Sequence, residues 1–363
     1  MSQHPPTEAT FTPRPSSPAP SYNPPPSYAS RTDDDIDNEI SSITGHDPDT
    51  LGVDVRDDGR VDVNCHVPLG RRLSRLVDAQ TSVPHPAIPS WPGRSTPPPP
   101  RLNIVIQAAG SRGDVQPFVA LGCALQRGHN HRVRIATHTV FEDFVRSAGL
   151  EFYPLGGDPT ELMAYIVKNP GLIPSFASVK AGDIGRKRDM LGEMLEGCWK
   201  SCIERDLRSQ APFVADAIIA NPPSMGHVHC AQALSIPLHI MFTMPWSTTR
   251  SFSHPLANLK VSADTNIGVA NSLSFGIVEF MMWQGYADPL TIGITSLTSC
   301  NCRTGDLVNR WRTRTLDLEP VTESDGPKLL ERLAVPHTYC WSPALVPRPE
   351  DWPPHIGIGA VLT

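Results

Sequence analysis

The chain has 363 residues, a formal charge of −6 and 39 prolines against 26 glycines, and about half of the prolines lie before residue 101. A mildly acidic chain with no dense Lys/Arg stripe is set aside as a nucleic-acid binder, because backbone recognition depends on clustered positive charge. No run reaches the ~20 apolar residues of a bilayer span, and the N-terminus shows no secretory signal, so a cytoplasmic protein whose eight cysteines are reduced thiols is expected.

Residues 1–100 are rich in Pro and Ser and poor in aromatics, a composition that buries too little apolar surface to offset the entropy of ordering it. They are predicted to be a disordered tail and spacer. Pro25-Pro26-Ser27-Tyr28 has the PPxY form that a WW-type groove accepts as a polyproline II ligand, although such a tetrapeptide also arises easily in this composition. Asp33-Asp34-Asp35 with Asp37 and Glu39 reads as solvated charge. Within 51–77 a small ordered patch is expected: Val53, Val55, Val61 and Val63 alternate with polar residues around Asp57-Asp58-Gly59, a hairpin signal. Pro84 to Pro100 then form a semi-rigid spacer.

From Leu102 the texture is globular. Leu102 to Ala109 is a β-branched apolar run ended by Gly110, hence a buried strand. After a loop from Gly110 to Gln116, Pro117 suits the first turn of a helix whose face is Phe118, Leu121 and Leu125. Val133 and Ile135 mark a second strand, Phe141 to Ala148 a second helix, and Leu150 to Tyr153 a third strand. Residues 160–210 are helical in texture with a break at Pro170 and Pro174. The pattern returns at Ala217–Ala220, stopped by Asn221-Pro222-Pro223, with a helix from Met225 to Leu234 and a strand from Leu238 to Phe242. The most apolar window, Ile277 to Trp283, is short and interrupted by Glu279. Repeated β-α-β-α order predicts a Rossmann-like α/β fold, a parallel sheet with helices on both faces. Ligands then sit beyond the carboxyl ends of the strands, which places 110–116, 221–227 and 243–255 on one rim.

The loop Gly110-Ser111-Arg112-Gly113-Asp114-Val115-Gln116-Pro117 lacks both dinucleotide glycine spacing and a P-loop Lys. It offers Asp114, which suits two roles: a general base toward an approaching hydroxyl, or a cap on the free N–H groups of the helix. His227-Val228-His229-Cys230 holds three ligand types in four residues, but nothing supplies a fourth at zinc-like spacing, so no metal is expected. Cys198 and Cys202, four apart on a helix, read as buried thiols. Arg186-Lys187-Arg188 after an apolar stretch suits either an anionic membrane surface or a solvated helix face.

The stretches LNIVIQAAGSRGDVQPFVALG, FYPLGGDPTELMAYIVKNPGLIPS, IIANPPSMGHVHCAQALSIPLHIMFTMPWS and FSHPLANL resemble the N-terminal half of fungal sterol 3-β-glucosyltransferases, in the family 28/family 1 group of GT-B glycosyltransferases. The resemblance runs from about Leu102 to about Ile356. It implies one acceptor-binding half of a two-domain enzyme, with inverting transfer of glucose from UDP-glucose to the 3-hydroxyl of a sterol or related lipid and no cofactor. Asp114 then becomes the candidate base, Ser111 and Arg112 shape the cleft, and His227 or His229 serves the acceptor side. Trp246, Phe252, Trp283, Met281 and Met282 could line a sterol-sized pocket, and equally could be plain core. The family's donor half has no counterpart before Thr363, so the chain alone is expected to be inactive. A non-catalytic lipid-binding fragment, or an obligate partner of a separate donor-binding chain, are the other readings. Residues 286–305 depart from the family pattern and read as translated intron. Peripheral membrane contact is an expectation of the lipid acceptor.

Overall fold

The computed structural model describes residues 100–160, 183–261, 266–284 and 304–359, together with the strands at 52–55 and 61–65. The Pro25–Tyr28 tetrapeptide, the acidic patch, most of the proline spacer and residues 286–303 lie outside the described residues, and with them the disordered-tail and intron readings. The expected hairpin is present: β1 (Gly52–Val55) pairs antiparallel with β2 (Val61–Cys65), Val53 facing Val63. β2 also pairs in parallel with β8 (Ala257–Val261), which gives a three-stranded sheet.

The main sheet is parallel throughout. In chain order it uses β3 (Asn103–Gln107), β4 (Arg132–Thr137), β5 (Glu151–Pro154), β6 (Ala217–Ala220), β7 (Leu238–Phe242), β9 (His337–Tyr339) and β10 (Ile356–Ile358). In space the order is β10-β9-β7-β6-β3-β4-β5. The chain builds outward from β3 to β5, then returns to the other side of β3 with β6 and continues outward. Strand order therefore reverses between β3 and β6, and in open parallel sheets the crevice beyond such a reversal is where ligands bind.

Alternation along the strands decides which helices cover each face. Ile104, Ile106, Val133, Ile135 and Phe152 pack under α1 (Arg112–His129) and α2 (Glu142–Ser147) through Val115, Phe118, Val119 and Val145. Val105, Ala136, Ile218, Ala220 and Ile240 face α3 (Asp183–Ile203), α4 (His227–Leu234) and α6 (Thr304–Arg314) through Met194, Leu195, Val228, Val308 and Trp311. α5 (Ile267–Gln284) and the single-turn α7 (Leu329–Arg332) are the remaining α-helices among the described residues.

One expectation changes. α1 begins at Arg112, five residues before Pro117, because Ser111 and Asp114 form a capping box that starts the helix; Pro117 sits inside it at the cost of one backbone bond. Thr304 and Gly305 form the buried start of α6. In β4, Arg134 lies fully buried between valine and isoleucine. Its guanidinium donates to the carbonyls of Ser201 and Glu204 at 2.9 and 2.7 Å, which supplies partners to the C-terminal carbonyls of α3. It pairs with Glu151 at 3.3 Å and lies 3.8 Å above the Phe213 ring. No helix among the described residues is long and apolar enough to cross a membrane.

Candidate functional site

The turn from β3 into α1 is built around one carboxylate. Asp114 Oδ2 accepts the backbone N–H of Ser111 at 2.8 Å and its hydroxyl at 2.9 Å. Gly110 makes this possible: its φ is +130°, and a Cβ there would lie 2.4 Å from Asp114 Oδ2. Both bonds go to one oxygen, so Oδ1 is not held by the cap. Asp114 is half-buried, and Arg112 is exposed with its guanidinium 4.7 Å above the Phe144 ring, which turns it toward α2.

Two residues that sequence patterns did not single out hold this turn. Asn221, directly after β6, accepts Ala109 N–H through Oδ1 at 3.0 Å and donates through Nδ2 to Ala109 O at 2.7 Å. His138, directly after β4, accepts Gly110 N–H at Nε2 at 3.1 Å. Its Nδ1 therefore carries the proton and donates to Gly156 O and Gly157 O, at 3.0 and 3.2 Å. Both side chains are fully buried. The only local signal for either is a polar residue immediately after an apolar strand.

Hydrogen-bond logic also fixes His227, at the first position of α4. Ser224 Oγ–H donates to Asn221 O at 2.9 Å, so Oγ accepts from His227 Nδ1–H at 3.1 Å. His227 Nε2 is left as a bare buried acceptor without a protein partner. Burial, with the neighbouring His337 imidazole, lowers its pKa to about 3, so the ring is neutral. His229 is placed differently. It is buried, accepts from Arg312 at 2.7 Å at Nδ1 and meets Trp311 edge-on at 6.1 Å. Burial and the adjacent Arg312 cation hold its pKa well below the usual histidine value. Arg312 also donates to Gln232 and to Glu319 O, so His229 belongs to the packing of α6 on α4.

Trp246 lies after β7, two strands from β3 and hence roughly 10 Å along the rim. Its backbone N–H donates to the Tyr339 hydroxyl at 3.1 Å, and that hydroxyl shares a 2.5 Å hydrogen bond with Ser247 Oγ. The Trp246 ring meets Phe242 at 5.6 Å and His254 at 4.5 Å, both edge-on. Trp341 and Trp352 stack on Tyr339 at 4.7 and 4.9 Å. Burial raises the Tyr339 pKa to about 12 and lowers that of His254 to about 4. Phe252 joins this cluster, whereas Trp283 packs against Gly305 and Gly326 instead.

The structure thus joins Ser111, Asp114 and the His227 turn through Asn221 at the strand reversal, sets Trp246 further along the same rim, and leaves His229 in the core. Beyond β4 and β5 the rim carries a cavity of about 490 Å³, between Gly156, Gly157 and Asp158 on one side and Asp189, Met190 and Glu193 of α3 on the other. Its walls carry three carboxylates. No group of His, Cys, Asp and Glu among the described residues has metal-binding geometry.

The chain folds as a doubly wound parallel α/β domain with a polar turn at its strand reversal. Residues 104–253 match the glycosyltransferase family 28 N-terminal domain. Over 260 residues it is 45% identical to sterol 3-beta-glucosyltransferase UGT80B1 of Arabidopsis thaliana, an alignment covering 71% of this chain and 37% of that protein. It is 35% identical to a sterol 3-beta-glucosyltransferase of Yarrowia lipolytica over 71% of this chain and 15% of that one. The chain thus spans well under half the length of these relatives. Among solved structures, CalG4, the calicheamicin glycosyltransferase, aligns at 13% identity with a TM-score of 0.43 over 72% of this chain and 53% of that one.

Proposed function

We propose that this domain holds the hydroxyl acceptor, a sterol or related lipid, in an inverting glucosyl transfer from UDP-glucose. The observation that carries the reading is Asp114: a carboxylate at the strand reversal, fixed through one oxygen by Ser111. In the reaction the acceptor oxygen attacks the anomeric carbon, Asp114 takes the hydroxyl proton, and UDP departs with the electron pair of the broken glycosidic bond. Most of the rate would come from orientation of two substrates and from stabilising charge on the leaving diphosphate. UDP-glucose is assigned to a separate donor-binding domain, and this domain by itself is expected to give no turnover. Cys123, Cys198, Cys202, Cys230 and Cys340 are free thiols, which is in keeping with a cytoplasmic setting.

The test is transfer from labelled UDP-glucose to ergosterol, by the purified chain alone and with the remainder of the Arabidopsis relative supplied in trans. Transfer only in the second case, reduced about 100-fold or more by Asp114→Asn with folding intact, is the expected result. Near-normal transfer by Asp114→Asn would leave Asp114 a helix cap, and turnover by the chain alone would overturn the division of labour.

A further inference from the structure

Three consecutive backbone N–H groups at the end of β3 are each taken by a side chain from a different part of the chain. Ala109 N–H goes to Asn221 Oδ1 at 3.0 Å, Gly110 N–H to His138 Nε2 at 3.1 Å and Ser111 N–H to Asp114 Oδ2 at 2.8 Å. Asn221 Nδ2 also donates to Ala109 O at 2.7 Å, so the Ala109–Gly110 peptide plane is clamped at its carbonyl by Asn221 and at its N–H by His138. That plane leads into a glycine at φ +130°, the residue type that turns most freely, and a Cβ there would lie 2.4 Å from Asp114 Oδ2. Releasing the N–H edge of the plane lets Gly110 turn, and with it Ser111 N–H, the group that aims Asp114.

His138 reaches in the other direction as well. Its Nδ1–H is shared between Gly156 O and Gly157 O at 3.0 and 3.2 Å. Both glycines, at φ +83° and +68°, wall the cavity beyond β4 and β5 together with Thr139, the residue after His138. A Cβ at Gly156 would lie 3.0 Å from Glu193 and one at Gly157 2.9 Å from Met190, so α3 closes on this backbone and keeps the two carbonyls against the ring. One fully buried imidazole therefore stands between the cavity wall and the turn of the carboxylate. Helix α1 starts from the reciprocal bonds of Ser111 and Asp114, and Asn221 joins β6 to the turn with two bonds of its own. What the His138 bond adds is direction.

We propose that His138 is a positioning residue for the glucosyl transfer: by anchoring Gly110 N–H to the Gly156-Gly157 wall, it aims Asp114 at the acceptor hydroxyl. The inference rests on Asp114 acting as the base. The experiment compares His138→Ala, His138→Gln, Asp114→Asn and the Asp114→Asn/His138→Ala double variant in transfer to ergosterol, with the remainder of the Arabidopsis relative supplied in trans. Glutamine carries an acceptor and a donor on one carbon, much as the imidazole does across Cε1, and keeps both bonds within reach. His138→Ala is expected to lower kcat by up to about 100-fold with KM for ergosterol little changed. His138→Gln should recover most of that loss, and the double variant should be no slower than Asp114→Asn, because His138 acts only through Asp114. If Asp114→Asn loses transfer while folded His138→Ala turns over as the wild type does, Asp114 stands as the base and the role of His138 is overturned. Independent, multiplying losses in the double variant would overturn it too. If the wild-type pair gives no transfer, it is the transfer reaction that fails, and the carbon-13 resonance of the Asp114 carboxyl decides for His138. It should move in His138→Ala and return in His138→Gln; a resonance unmoved in His138→Ala overturns the inference.

Discussion

Asn221 makes both amide hydrogen bonds to the backbone of Ala109, an acceptor bond at 3.0 Å and a donor bond at 2.7 Å. One side chain thereby ties the end of β6 to the turn that carries Asp114, across the reversal of strand order.

Asn221→Ala leaves a buried N–H and a buried C=O on Ala109 without partners. The expected cost is about 2–4 kcal/mol, read as a lower urea midpoint with an unchanged m-value. An m-value that falls with the midpoint would show that the native state itself has loosened.

Gly110→Ala places a methyl group 2.4 Å from Asp114 Oδ2 at a φ of +130°. A loss of about 2–3 kcal/mol is expected. Part of it should disappear when the same change is made in an Asp114→Ala background, because the carboxylate is then gone. A double-mutant cycle with zero coupling would rule out the clash as the cause.

Arg134→Leu removes the donors to Ser201 O and Glu204 O and leaves Glu151 with a weaker set of partners. Breaking a buried charged contact in this way costs about 3–5 kcal/mol. Hydrogen exchange should accelerate first at the C-terminal turn of α3.

Acid and base act on different residues. His227, His254 and His337 have pKa values lowered by burial to about 3, 4 and 4, so each is neutral in the fold and takes up a proton on unfolding. Their contribution is intact above the ordinary histidine pKa near 6.5 and is lost as pH falls toward 4, by up to about 1.4 kcal/mol per pH unit for each ring. Glu279, inside the apolar α5, has a carboxyl pKa raised to about 8 by burial and by Glu331, so it is protonated in the fold at neutral pH. Stability should therefore decline as pH rises from about 4.5 toward 8. Glu279→Gln should raise the melting temperature at pH 8 and change it little at pH 5. His227→Gln should flatten the acid side of the curve. Equal effects of Glu279→Gln at both pH values would contradict this assignment.

How far the fold is legible in the sequence depends on which residues carry each element. Ile104 to Ile106, Ile218 with Ile219, and Leu238 to Phe242 are apolar runs bounded by turn residues, and β3, β6 and β7 follow from them. The start of α1 is obscured because Pro117 is a strong local signal, whereas the true start depends on a reciprocal bond between Ser111 and Asp114. β9 and β10 are three residues each and form only because β7 offers an edge. Of the site, Asp114 is legible as a carboxylate at a strand end, with base and cap both open. Asn221, His138 and Arg312 are not, since their partners lie 112, 28 and 83 residues away. His227 and His229 are neighbours in a single motif, yet a helix turns one toward Ser224 and the other toward Arg312.

The pairing of β2 with β8 has a consequence for how the molecule is made. Val61 finds Ala257, 196 residues further along the chain. Closing a loop of that length costs about 5 kcal/mol of chain entropy, and contacts of such separation form late in folding. During synthesis the hairpin emerges early and waits for most of the domain before its parallel partner exists. Throughout that interval β2 presents an unpaired edge, which a chaperone could shield until β8 arrives.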